Sequence, residues 1–186
     1  MSDELSPGFN DIHASQRCFR AILDAMSHPG RTRTLDEALD PPPSLSVAAA
    51  CCLLALTDAT VLVALPDDAA NWLVFHTGAG LAPPSRADFI VARAPIAITN
   101  FSGGTDEEPE RGATLLLDVP ALDTGIRVRL SGPGIAGSIT ISLPLTTDFI
   151  RQWRDQHDRA PCGIDVILCA GRSLLAMPRS VMMEAI

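Results

Sequence analysis

A chain of 186 residues falls within the size of one domain, and a hydrophobic share of 47% with only 4% aromatic residues and no tyrosine leaves aliphatic side chains to pack a substantial core. The formal net charge of −8 excludes the cationic footprint of a nucleic-acid binder, so no such partner is expected. All 14 basic residues are arginine, which rules out an imine with pyridoxal phosphate and the phosphate-gripping lysine of a P-loop.

The start, MSDELSPGFN, is acidic and lacks the apolar segment of a signal peptide. The longest apolar run, 47–56, is too short for a bilayer, which takes about 20 residues, so no membrane association is expected. Cys18, Cys51, Cys52, Cys162 and Cys169 form no C-x-x-C pattern and read as reduced core residues of a cytoplasmic protein.

In chain order, Asn10 is placed to cap a helix with the apolar face Ile12, Phe19, Ile22, Leu23 and Met26, opposite Arg17, Arg20 and Asp24. On spacing alone Arg20 is a solvated residue pairing with Asp24 one turn on. That helix ends at Ser27-His28-Pro29-Gly30. After the stiff Pro41-Pro42-Pro43, Ser46 caps a helix over 47–56, apolar nearly all round and therefore buried. Residues 60–65 read as a central strand, 67–71 as a turn or short helical piece, 72–76 as a strand, 77–84 as a loop and 89–92 as a strand. Segment 101–112, with Gly103-Gly104 and a run of acids, reads as a mobile surface loop.

Residues 113–119 form an apolar run, and 126–130 alternate so that Arg127 and Arg129 face solvent or nearby acids. A helix over 147–157 uses Phe149, Ile150 and Trp153. Residues 161–179 then read as a hairpin near the middle of a sheet: Ile164, Val166 and Leu168 alternate with Asp165, Ile167 and Cys169, Ala170-Gly171-Arg172 turns the chain, and Pro178 ends the pairing before Arg179. Asp165 in so apolar a run must face solvent or find a partner. Together these elements predict one α/β domain over 1–186, with a sheet covered on both faces.

Gly132-Pro133-Gly134-Ile135-Ala136-Gly137 fits the dinucleotide-binding G-x-G-x-x-G, but residues 138–144, next in the chain, are β-branched and alternating where that site needs a helix, so the glycines read as a structural turn before a strand. The four histidines stand at no metal-ligand spacing, and no metal is expected. His76, in Phe75-His76-Thr77-Gly78, is the one placed at an element's end where sites form, with a capping or hydrogen-bonded structural role as its simpler explanation. No G-x-S-x-G nucleophile elbow occurs.

Several blocks in order resemble the phosphonate-metabolism PhnH family: Phe19-Arg20 through Ala25-Met26-Ser27-His28-Pro29-Gly30, Phe75-His76-Thr77, Pro109-Glu110-Arg111-Gly112-Ala113-Thr114-Leu115, Leu130-Ser131-Gly132-Pro133-Gly134-Ile135, and Gly163-Ile164-Asp165 running to Met177-Pro178-Arg179. Loops 41–44 and 103–108 look least family-like. The resemblance implies a subunit of the carbon–phosphorus lyase core complex, needed with the other core subunits when ATP and an alkylphosphonate are joined to ribose 1-methylphosphonate 5-triphosphate. It also implies a three-layer α/β/α sandwich with a mixed central sheet, similar to a pyridoxal-phosphate-dependent transferase fold that has lost cofactor binding. A homodimer when isolated, no cofactor and no bond chemistry of its own complete the expectation.

Such substrates are polyanionic, so the resemblance marks Arg20, Ser27, His76, Asp165 and Arg179 as candidate anion or partner contacts, with Asp165 placed to orient Arg179. The alternative is a free-standing phosphonate- or nucleotide-binding protein or enzyme whose anion site is built from Arg20, His76 and Arg179.

Overall fold

A computed structural model describes residues 6–93 and 95–186, so the acidic start falls partly outside the described residues. Asp11, one residue later than expected, caps α1 (Ile12–Ser27), its Oδ1 accepting from the Ala14 N–H at 2.8 Å. The buried face of α1 is Ala14, Cys18, Ile22 and Ala25, whereas Ile12, Phe19 and Leu23 are 82%, 47% and 55% exposed. This reverses most of the expected apolar face. Small side chains win the inner position because α1 lies directly on α2 (Val47–Leu56), whose residues from Ala48 to Leu53 are all buried and leave little room between the helices. Ser46 caps α2 as expected, its Oγ accepting from the Ala49 N–H at 3.1 Å.

The second departure is α3 (Asp67–Thr77), one continuous helix where a turn or short helical piece over 67–71 and then a strand over 72–76 were expected. Asp67 and Asp68 suit the positive end of the helix dipole, and Gly78, at φ 74°, supplies the left-handed residue that closes it. Ala69, Trp72 and Leu73 are buried at helical spacing, a period that a five-residue apolar window cannot separate from alternation.

The main sheet has seven strands: β1 (Arg33–Thr34), β2 (Leu62–Ala64), β3 (Gly80–Leu81), β4 (Phe89–Ala92), β5 (Thr114–Asp118), β8 (Asp165–Ala170) and β9 (Ser173–Met177). The order is β1-β9-β8-β5-β4-β2-β3; β8, β5, β4, β2 and β3 run parallel, while β9 and β1 pair antiparallel. β2 is thus one strand in from the edge instead of central. β6 (Ile126–Ser131), β7 (Ser138–Leu143) and β10 (Met182–Ala185) make a separate antiparallel sheet, and the glycine-rich 132–137 is the turn between β6 and β7.

Both faces of the main sheet are buried, as parallel strands require. Leu116, Ile167, Cys169, Leu174 and Ala176 pack with α1, α2 and α3. Leu115, Leu117, Val166, Leu168 and Met177 pack on the other face with α4 (Thr147–His157) and the small sheet. One covering layer is therefore helical and the other is shared between a helix and three strands. Among the described residues no helix is long and apolar enough to cross a membrane.

Candidate functional site

Asp165 opens β8, and Arg179 follows β9 on the adjacent antiparallel strand, so the hairpin itself brings them together. The Arg179 backbone N–H and Nε donate to Asp165 Oδ1 at 2.8 and 3.2 Å, and Nη2 donates to Oδ2 at 2.6 Å. Nη1 reaches the Pro109 carbonyl at 2.5 Å and Nη2 the Gly112 carbonyl at 3.4 Å. A Cβ at Gly112 would overlap the guanidinium and the Gly163 carbonyl, so a glycine is needed for this approach. Two of the sequence blocks, 109–115 and 163–179, thus meet in one clamp. It ties segment 109–112 to the hairpin, and Gly163 adds an N–H to the Gly103 carbonyl at 2.7 Å. The expected mobile loop is therefore anchored at both ends.

Arg20 and Ser27 lie elsewhere, on the outer face of α1. At about 100° per residue, Ile12, Phe19, Leu23, Arg20 and Ser27 share one exposed sector of that helix. Asp24 pairs with Arg33 and His28 instead of Arg20, and the Arg33 guanidinium holds its carboxyl below the ordinary carboxylate range. Ser27 Oγ donates to the Leu23 carbonyl at 2.8 Å, and a Cβ at Gly134 would strike the Ser27 carbonyl and Pro29. A second pair of blocks therefore meets where α1 ends against the β6–β7 turn.

His76 lies in the last turn of α3, beyond the amino end of the same stripe. Its Nε2 is 3.0 Å from the Ser6 carbonyl, which also accepts from Trp72 Nε1 at 2.9 Å, and its ring meets Trp72 and Phe75 edge-on. It shares a shallow depression with Ile12 and Ser15, and the neighbouring Phe75 is 71% exposed. Arg20 and Ser27 thus stand beside the exposed apolar side chains of α1 and His76 beside Ile12 at its amino end, and none of them hydrogen-bonds to the Asp165–Arg179 clamp.

A pocket that no sequence motif marked lies at the carboxyl ends of the parallel strands. It has a volume of about 390 Å³ and is lined by Pro43, Ser44, Ser46, Arg93, Asp118 and Gly171 among others. Asp118, the last residue of β5, is only 9% exposed, and its Oδ2 accepts from the Ser46 N–H at 2.6 Å. Burial pushes its carboxyl above the ordinary value, against the pull of the Ser46 hydrogen bonds and the Arg93 charge. The one available sequence signal was a carboxylate closing the apolar run 113–119, the counterpart of Asp165 opening another. No group of three or more His, Cys, Asp or Glu side chains among the described residues is arranged to hold a metal ion.

Comparison with known proteins agrees over almost the whole chain. The sequence profile of a family described as "Bacterial phosphonate metabolism protein (PhnH)" matches residues 7–184. The chain is 33% identical over 183 residues to the alpha-D-ribose 1-methylphosphonate 5-triphosphate synthase subunit PhnH of Rhizobium meliloti (strain 1021), covering 93% of this chain and 92% of that one. It is 29% identical over 171 residues to the putative C-P lyase subunit protein HtxG of Stutzerimonas stutzeri, covering 89% and 83% respectively.

Proposed function

Because the chain belongs to the bacterial phosphonate-metabolism family PhnH, we propose that it is an accessory subunit of a carbon–phosphorus lyase complex, required with its partner subunits to couple alkylphosphonate to ATP. The observation that carries this reading is the outer face of α1. Ile12, Phe19 and Leu23, together with Phe75 of α3, leave large apolar side chains in water, the signature of a surface that another protein covers. Arg20, Ser27 and His76 border it as a polar rim, the composition expected around an interface core. They serve as partner contacts, while Asp165 and Arg179 hold the fold behind the loop 109–112. In isolation the same face closes on a second copy, giving a homodimer.

In this reading the protein is cytoplasmic and performs no bond chemistry alone. The seven-stranded mixed sheet supports kinship with pyridoxal-phosphate-dependent transferases in a three-layer arrangement, and the absence of lysine supports the loss of that cofactor. An enzyme built on Arg20, His76 and Arg179 is disfavoured, since those side chains share no contact and the donors of Arg179 are engaged within the fold.

Co-expression with the other lyase subunits tests the reading. The expected result is co-elution in size-exclusion chromatography, lost in a Phe19→Glu/Leu23→Glu double variant whose circular dichroism is unchanged. Persistent separation of the unmodified chain from the complex at micromolar concentration overturns it.

A further inference from the structure

Open α/β sheets take ligands outside the carboxyl ends of their parallel strands. Here that position is the pocket of about 390 Å³ bounded by the ends of β4 and β5, the β8–β9 turn at Gly171 and the segment leading into α2. The amino end of α2 is not itself the binding group. Its Ser46 N–H donates to Asp118, its Ala48 N–H to the Gly171 carbonyl at 2.9 Å, and its Ala49 N–H to Ser46 Oγ at 3.1 Å. What remains is a set of three side chains.

Ser44 lines the pocket at 8% exposure, and its Oγ has no hydrogen-bond partner among the described residues. Folded proteins rarely leave a buried hydroxyl unsatisfied, so this atom lacks a partner that a ligand would supply. Asp118 is a nearly buried carboxylate that meets no cation at contact distance among the described residues. Arg93 lines the same pocket at the end of β4, exposed, close enough for its charge to act on Asp118 but without an ion pair between them. A simple anion there would face Asp118, and a simple amine would face Arg93. A molecule with one charge of each sign satisfies both.

We propose that this pocket binds a small zwitterion, a primary ammonium joined by a short alkyl chain to a phosphonate or carboxylate. Asp118 takes the ammonium, the Arg93 fork takes the oxyanion, and Ser44 Oγ completes its hydrogen bonding on the ligand. The pocket stands independently of the subunit reading; only the choice of phosphonate as the oxyanion leans on it, and the co-elution experiment does not involve this site.

Isothermal titration of the full chain with 2-aminoethylphosphonate, β-alanine, ethylphosphonate and ethylamine tests the proposal. At least one zwitterion is expected to bind at one per chain, with the singly charged compounds and the Arg93→Ala and Asp118→Asn variants each weaker by about tenfold or more, the scale of one charged hydrogen bond. Binding of 2-aminoethylphosphonate over β-alanine identifies the oxyanion as phosphonate, and the reverse identifies it as carboxylate. The proposal is overturned if neither zwitterion binds at millimolar concentration, if ethylphosphonate or ethylamine binds as tightly, or if Arg93→Ala leaves affinity unchanged. Because Arg93 is exposed, that variant and the singly charged compounds decide the matter whatever the effect of Asp118→Asn on stability.

Discussion

The Arg179 guanidinium holds four acceptor oxygens from two chain segments at once, which only a planar fork with several N–H groups can do. Its partner Asp165 has a side chain 18% exposed, and removing one member of a largely buried pair strands the other. Arg179→Ala is therefore expected to cost about 3 kcal/mol. For a chain of this size that is a fall of roughly 10 °C in melting temperature, read by circular dichroism. Arg179→Lys should recover less than half of the loss, since one ammonium cannot span the Asp165 carboxylate and both carbonyls. An unchanged melting temperature for the lysine variant would mean that the fork contributes nothing beyond its charge. Asp118 gives a prediction with the opposite sign. Its carboxyl is raised above the ordinary 3.8 by burial, so the folded state favours the protonated form. That contribution to stability is complete below pH 3.8 and is lost as the pH rises through the raised value. Asp118→Asn keeps an oxygen for the Ser46 amide without the buried charge, and it should melt higher than the parent at neutral pH, the gain disappearing below pH 3.8. The Arg93 charge, which favours the carboxylate, limits the size of the gain. Asp165 was legible in the sequence because it interrupts an apolar run, whereas Asp118 ends one and looks there like an ordinary strand terminus.

Among the elements, α1 shows how periodicity identifies a helix while leaving its orientation open. Ile12, Phe19 and Leu23 follow the helical period as well as Cys18, Ile22 and Ala25 do, and hydrophobicity favours the larger set. Close packing on α2 selects the smaller one. Ile22→Ala should thus destabilise the isolated chain by about 2–4 kcal/mol. Leu23→Gln, one residue on, should stay within about 0.5 kcal/mol, as expected of an exposed position. Urea unfolding of the two variants checks this, and equal losses would place both side chains inside. In α3 the cue that failed was the short window 72–76; the acidic first turn and Gly78 carried the helix signal instead. The hairpin β8–β9 and the helices α2 and α4 were legible from caps, turn residues and apolar spacing. The buried Gln152 and Gln156 were not, since the partner of Gln152, the Ile98 N–H, comes from a distant segment, and that of Gln156, the Ile164 backbone, is met only because the chain turns back between α4 and β8.

At the scale of the whole molecule, the α/β class and the double-sided core could be read from strands that are apolar at nearly every position. The small second sheet could not, because β10 pairs with β6 across more than fifty residues and shows no alternation of its own. The thiols report on the finished core. Cys18, Cys51, Cys52 and Cys169 are buried and Cys162 is half-buried; a neighbouring sulfur together with burial pushes the Cys51 and Cys169 thiols up, Cys51 pulls Cys18 down, and burial also raises Cys162, so access and not acidity sets Cys162 apart. A disulfide-exchange reagent should therefore modify Cys162 alone in the native protein, and all 5 cysteines only after unfolding. Rapid native labelling at the other four sites would place them outside the core.

The strand order has a consequence for how this protein comes into being. β8 and β9, which stand between β5 and the edge strand β1, are synthesised after every other strand of the main sheet, while β1 and α1, which rest on β9, come before all of them. A nascent chain ending before Asp165 has an open edge on β5 and no strand beneath α1, a state prone to sticking to its neighbours. Closing Arg33 onto Leu174 spans most of the chain, so loop entropy resists the decisive pairing and local turns cannot hasten it. Folding is thereby deferred until the β8–β9 hairpin has emerged, and a ribosome that stalls within it releases a product in which β1 and α1 have no strand to rest on.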